Sequence, residues 1–301
     1  MITRKNKSES VKVRDSAGYT LFKWCNTIIM ILVCVVTLYP FLYLVAQSFS
    51  SEQAIMMGKV KLLPVDFNIQ TYISVLKKGE FMHSYGNTLY YSVLGTVFSV
   101  FFGCCLAYPL SKKHLKANKF FFPFIIFTMY FGGGLIPNYI LMRRLHLINT
   151  VAGFIMPSLI STYYIILMRS FFAGTPKELE EAGEIDGLTP IGLLFKIVLP
   201  LSMPIIATMI LFNAVGYWNN WYNSFLYLDK KEMWPVAYYL RTIITGASTS
   251  ADPGEASAEK MQIAANIKSC SMVLMAFPII CIYPFVQKYY VQGMMLGGVK
   301  E

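Results

Sequence analysis

Six stretches of this chain contain no Asp, Glu, Lys or Arg: residues 24–51, 81–111, 120–142, 145–168, 197–228 and 269–287. They are 19 to 32 residues long, and a helix needs roughly 20 apolar residues at about 1.5 Å rise each to cross a bilayer. Soluble domains carry about 25% charged residues, whereas this chain has 14%, concentrated between the stretches. The pattern therefore predicts an all-α, polytopic membrane protein with six transmembrane helices at about 26–47, 86–110, 120–141, 151–172, 203–226 and 269–288.

The net charge of +10 does not indicate nucleic-acid binding, because the basic residues are scattered between apolar windows and form no groove interleaved with aromatics. Their distribution reports topology instead. With six spans both termini share a side, and that side holds 15 of the 26 Lys and Arg residues. The concentrated signals are the tail Arg4, Lys5, Lys7, Lys12, Arg14 and Lys23 and the tight loop Lys112, Lys113, Lys116 and Lys119. Short basic segments beside spans set orientation, so both termini are expected in the cytoplasm. The first apolar run exceeds the 7–15 residues of a signal-peptide core and has no small-residue cleavage site, so it reads as an uncleaved anchor.

The six cysteines sit in or beside apolar windows, where free cysteine behaves as a small hydrophobe. No Cys or His spacing suggests a metal site, and His83, His114 and His146 read as lone loop or interfacial residues. The domain divisions expected are a cytoplasmic tail over 1–24, a membrane domain over 25–290 and a cytoplasmic tail over 291–301. The outer segment 49–84 has enough apolar residues to fold compactly. In span three, Phe131-Gly132-Gly133-Gly134-Leu135-Ile136-Pro137 should interrupt a helix. Either the span is broken at membrane depth, where protein or a wet cavity must shield the backbone, or the chain leaves the membrane there. The outer loop 229–266 carries a Gly-, Ala-, Ser- and Thr-rich stretch, Thr245–Ala258, which reads as flexible.

The most informative segment is TPKELEEAGEIDGLTPIGLLFKIVLPLSMP, residues 175–204. Thr175, Pro176 and Glu178 spell a capping box with proline at the first helical position, and Gly187 suits a left-handed stop. Thr189 and Pro190 start a second short helix, which Pro200 should terminate. Leu179, Ala182, Gly183 and Asp186 share one face of the first helix at i, i+3, i+4 and i+7. A helix lying on anionic lipid would present basic residues; here the polar face holds Glu180, Glu181 and Glu184. A protein partner is therefore the expected occupant of the small-residue face.

Glu181-Ala182-Gly183, Gly187 and Ile197-Val198-Leu199-Pro200 resemble, in identity and spacing, the EAA loop of ABC importer permeases. The similarity extends over about 20–300 and is strongest to the maltose-type carbohydrate family. Within it, Phe131–Pro137, Met168-Arg169-Ser170-Phe171-Phe172 and Gly216-Tyr217-Trp218-Asn219-Asn220-Trp221-Tyr222-Asn223 resemble the aldouronate and rhamnogalacturonan oligosaccharide permeases. Gly183 departs from the pattern, which usually has Ala there.

The resemblance implies a MetI-like ABC permease fold in a bacterial plasma membrane, with residues 175–200 acting as a cytoplasmic coupling loop. ATPase coupling would fall to Glu181, Ala182, Gly183, Asp186, Gly187 and Pro200, with Glu181 as the ionic partner of the ATPase. The partners implied are a second homologous permease, two cytoplasmic ABC ATPase subunits and an extracytoplasmic solute-binding protein. The chain itself has no G-x-x-x-x-G-K-[ST] phosphate loop, so it is expected to be no enzyme and to bind no cofactor, with ATP and Mg on the ATPase. The expected cargo is an oligosaccharide, with or without uronate.

A candidate substrate path is Asn213, Tyr217, Trp218, Asn219 and Trp221. Asn is expensive in lipid and usually faces protein or a wet cavity, and aromatic faces with amide donors suit sugars. The plainer reading of the aromatics is an interfacial belt. Arg143 and Arg144 could attract an acidic sugar but read more simply as snorkelling anchors. A same-fold importer for amino acids or peptides is an alternative. An ion-coupled secondary transporter is disfavoured, since the six windows lack Asp, Glu, Lys and Arg.

Overall fold

A computed structural model describes residues 16–77, 79–112, 114–249 and 266–284. Most of the N-terminal tail, residues 250–265 of the outer loop and the C-terminal tail lie outside the described residues. Among those described, every regular element is helical.

Three of the apolar windows form single long helices: α1 (Ala17–Ser48), α4 (Gly79–Ser111) and a last helix over Asn266–Pro284. Between α1 and α4, the short helices α2 (Glu52–Met56) and α3 (Gln70–Lys77) make the compact segment expected over 49–84. Ala46, Ala54 and Val60 form its small core, and Phe49 stacks on Tyr72 at 4.8 Å. Tyr72 donates a hydrogen bond to Ser48 Oγ (2.8 Å), and burial raises its phenol above the ordinary value despite that bond.

The other three windows bend. In the third, α5 (Asn118–Tyr130) and α6 (Leu135–Arg144) meet at 113°. Gly134 turns the chain at φ +83, a conformation a Cβ disfavours. The fourth comprises α7 (Val151–Ile155), a 3₁₀ turn over Met156–Ser158 and α8 (Thr162–Phe172), bent by 58°. Pro157 cannot supply the N–H that a continuous helix requires.

The fifth window departs most from expectation. After α9 (Lys177–Ile185), the chain forms α10 (Pro190–Leu193), a π turn over Leu194–Val198 and α11 (Leu199–Leu201), then turns 87° into α12 (Met203–Trp218). Span five was expected to run to residue 226, but α12 stops at Trp218 and α13 (Tyr222–Tyr227) follows a break. The break falls at consecutive asparagines, which offer the backbone competing side-chain bonds: Asn220 Oδ1 accepts from Asn223 N (3.0 Å). Helix α14 (Val236–Thr249) then covers the first residues of the stretch read as flexible.

Helix α4 is the axis of the fold and packs against α8 and α12. One core joins Cys104, Ala107, Ile165, Met168, Val198 and Met209 towards the end that carries the acidic loop. A second, around Tyr91, Phe154 and Tyr217, lies towards the opposite end.

Candidate functional site

Two features are candidates for a functional site. The first is the acidic loop. Ala173 caps the end of α8, Thr175 N bonds the Phe172 carbonyl (3.2 Å) in the turn that follows, and Pro176, extended at ψ 129, takes the N-cap position of α9. Helix α9 therefore begins at Lys177 without a side-chain cap, and the expected capping box does not form. Glu178 and Glu180 in its first turn favour the positive end of the helix dipole instead. At the far end the expected stop is present. Gly187 has φ +82, with Gly187 N bonded to Glu184 O (3.0 Å) and Leu188 N to Gly183 O (2.9 Å), the Schellman pattern. Thr189 caps the next helix through Gly192 N (3.2 Å), and Pro190 occupies its first position.

Pro200 does not end that helix. It lacks the N–H that would bond Lys196 O and its ring crowds that carbonyl; the π turn over Leu194–Val198 absorbs the conflict. The chain breaks two residues later, after Ser202.

The helix faces are also redistributed. Gly183 is buried, and a Cβ there would lie 2.6 Å from Ile197 Cδ1 and 2.7 Å from Leu193 Cδ2. The space its missing side chain leaves is filled by this chain's own second helix, so Gly183 is not part of an outward small-residue face. Glu181, Ala182, Asp186 and Gly187 are exposed. Ile185 at the end of α9 and Ile191 at the start of α10 are also exposed, 87% and 71%. Glu180 turns inward to an ion pair with Lys112 at the end of α4.

The second feature is a cleft of about 380 Å³ between the bent fourth window and α12. Pro157, Ser158, Ser161, Asn213, Gly216 and Asn220 line it. Two interrupted helices meet beside it. Asn223 Nδ2 donates to Phe154 O (2.8 Å) and Ser158 Oγ (2.9 Å), and Asn220 Nδ2 to the same hydroxyl (3.3 Å). Broken backbone at membrane depth belongs beside protein or water, and the rest of the lining, Ile160, Tyr164, Phe212 and Tyr217, sets apolar and aromatic surface among these polar groups.

The five candidate path residues diverge. Asn213 and Tyr217 line this cleft. Asn213 is buried and bonds back to Met209 O (2.8 Å); Tyr217 donates to Ile155 O (3.3 Å) and shares a hydrogen bond with Ser99 (2.9 Å). Trp218 is buried on another side, its indole donating to Met275 O (3.1 Å) and meeting Tyr85 edge-on at 5.5 Å. Asn219 is exposed and bonds Val215 O (2.9 Å). Trp221 lies beneath Arg241, whose guanidinium carbon is 3.6 Å from the ring centroid.

A family model described as binding-protein-dependent transport system inner membrane component matches residues 88–225. Protein LplC of Bacillus subtilis is 35% identical over 280 residues, covering 93% of this chain and 95% of its own length. The polygalacturonan/rhamnogalacturonan transport system permease protein YtcP of the same organism is 34% identical over 270 residues, covering 89% and 93%.

The chain belongs to this family of inner-membrane permeases.

Among solved structures, a chain of a bacterial ABC transporter involved in the import of the acidic polysaccharide alginate is 31% identical. It superposes with a TM-score of 0.83, over 93% of this chain and all of the other. The permease is thus a multi-pass membrane protein with the MetI-like fold, and its family match, from α4 to α13, contains both the acidic loop and the cleft.

Outside the two sites, this permease fixes the start of its 229–266 loop. His83 Nε2 donates to Glu232 O (2.7 Å), Asn87 to Glu232 O and Trp234 O (2.7 and 3.2 Å) and Tyr91 to Met233 O (3.0 Å), while Asn149 Oδ1 accepts from Asp229 N (2.6 Å). Sequence reading missed these anchors, the exposed Ile185 and Ile191 and the Lys112–Glu180 pair. For the isoleucines a signal existed: Ile185 is a large apolar residue amid acids, directly before Asp186-Gly187. For the other two, the partners are 68 to 149 residues apart with no pattern linking them.

Proposed function

We propose that this permease carries an oligosaccharide across a bacterial plasma membrane into the cytoplasm, driven by ATP hydrolysis on separate subunits. Both termini and the acidic loop face the cytoplasm, in keeping with the basic tail and the lysine loop 112–119. The observation that carries the reading is the exposed α9–α10 corner, where Glu181, Ile185, Asp186 and Ile191 stand uncovered by the rest of the described chain. Carboxylates and exposed isoleucines at one corner fit a basic, partly apolar recess on an ATPase subunit. The assembly comprises a second related permease, two ATPase subunits holding ATP and Mg, and a solute-binding protein outside. On this reading ATP is hydrolysed on those subunits and the permease contributes the passage and the docking loop.

The cleft at Ser158, Ser161, Asn213, Gly216 and Asn220 forms this subunit's wall of the passage. Its hydroxyls and amides pair with sugar hydroxyls and can equally donate to a uronate carboxylate. The assignment to carbohydrate is supported by YtcP, by the arabinooligosaccharides permease AraQ of Bacillus subtilis, 25% identical over 293 residues, and by the alginate importer. Uptake by proteoliposomes holding the whole complex tests it. Neutral and uronate-bearing trisaccharides, offered with the binding protein, are expected to enter; entry of peptides alone would sink the carbohydrate assignment.

A further inference from the structure

The last turn of α4 is a junction. Arg169 Nε from α8 donates to Leu110 O (2.8 Å), and its guanidinium carbon sits 3.8 Å from the centroid of the Phe122 ring on α5. Asn118 Nδ2, at the start of α5, donates to Pro109 O and Lys112 O (2.8 Å each). Helix α9 joins this junction through the Lys112–Glu180 ion pair. The two side chains are only 16% and 15% exposed, and the Lys112 ammonium also lies 4.4 Å from the Tyr108 ring centroid. A shielded pair is weakly screened by salt, and losing either member strands the other charge.

Helix α9 is otherwise held by its close seat on α10 and the π turn, at Gly183. Those elements continue through the 87° turn into α12. Displacing α9 therefore moves α12 through the peptide chain; α4 shares an apolar core with α10 and the π turn, at Ala107, Leu193 and Val198, and is tied to α9 itself by a charged side-chain pair bridging 68 residues of sequence. Helices α4 and α12 pack along one another, so moving one without the other would shear that interface.

We infer that Lys112 and Glu180 are positioning residues that transmit displacement of α9 to α4, so that both helices move together when the acidic loop is pushed. This rests on the reading that the α9–α10 corner docks on an ATPase. Glu180 is half-buried in its pair with Lys112, whereas Asp186 and Glu181 are exposed, Glu181 beside the recess that Lys112 and Glu180 line.

The test uses the reconstituted complex with its ATPase subunits and the cognate binding protein, carrying the solute with which it co-purifies. ATP hydrolysis is measured with and without that protein for wild type, Lys112→Met, Glu180→Gln, Glu181→Lys and the swap Lys112→Glu with Glu180→Lys. The single strut variants are expected to assemble and keep basal hydrolysis but lose about tenfold in stimulation, within the usual range of coupling between linked sites. The swap is expected to restore most of it. Normal stimulation in both strut variants, or a swap that assembles without recovery, overturns the inference. So does loss of assembly that the swap repairs, since the pair is then only structural. If Glu181→Lys uncouples while the strut variants do not, docking stands and the strut falls. If none uncouples, the docking reading falls too.

Discussion

Ile197 occupies the space that a side chain at residue 183 would need: a Cβ on Gly183 would lie 2.6 Å from Ile197 Cδ1. The contact clamps α9 onto the π turn and makes residues 177–201 one angular unit. The glycine in this motif thus acts on the chain's own packing, while the carboxylates at 181 and 186 remain outside.

Gly183→Ala should be nearly neutral. The atoms in the way are terminal methyls of Ile197 and Leu193, which can rotate aside, and Ala gains about 1 kcal/mol of helix propensity over Gly. Gly183→Val should be worse by about 1–3 kcal/mol, the usual cost of overpacking. Thermal loss of the monodisperse chromatographic peak of the complex would rank the three. An alanine variant as damaged as valine would contradict the geometry.

Glu181→Lys reverses a charge at an exposed position with no hydrogen-bond partner to lose within this chain's own core, so permease expression should be unchanged. Binding-protein-stimulated hydrolysis and uptake should fall together, by roughly tenfold or more if one charge-assisted contact is lost. Stimulation at wild-type level in the purified complex would remove Glu181 from the docking surface.

Gly95→Val should destabilise the permease itself. A Cβ at residue 95 would lie 2.6–2.8 Å from three ring atoms of Tyr217, which is held by Ser99 and Ile155 O. Overpacking between α4 and α12 costs about 1–3 kcal/mol, visible as reduced membrane yield. Tyr217→Phe should cost about 1–3 kcal/mol, since the phenol's two hydrogen bonds, with Ser99 and Ile155 O, are both lost. Equal yields for Gly95→Val and wild type would show that the ring can move away.

Gly216→Leu should spare folding and stop transport. A Cβ there meets nothing within 4 Å, and the residue borders the cleft. The complex should assemble at wild-type yield with uptake of the transported trisaccharide reduced by an order of magnitude, in line with transport being gated by the space left for a ligand. Full uptake would place the passage elsewhere. Trp218→Phe, away from the cleft, should leave uptake intact and slightly lower stability by losing the bond to Met275 O.

The sequence by itself determined the six apolar windows, the interruption at Gly132–Gly134 and the left-handed stop at Gly187. It also located the acidic loop and, through its spacing, the family. These depend on hydrophobic length and local backbone preference, which are properties of neighbouring residues. It did not decide that Pro176, one residue past Thr175, takes the N-cap position of α9, or that Pro200 is absorbed by a π turn; both depend on how the flanking helices are joined. Nor could it say which neighbours face together. Asn213 and Tyr217 line the cleft while Trp218, one residue on, is buried against Met275. Gly183 turns inward while Ala182 stays exposed. Which face of a helix is covered depends on the elements packed against it, here α4 and the broken fourth window, and those contacts join residues tens to hundreds of positions apart.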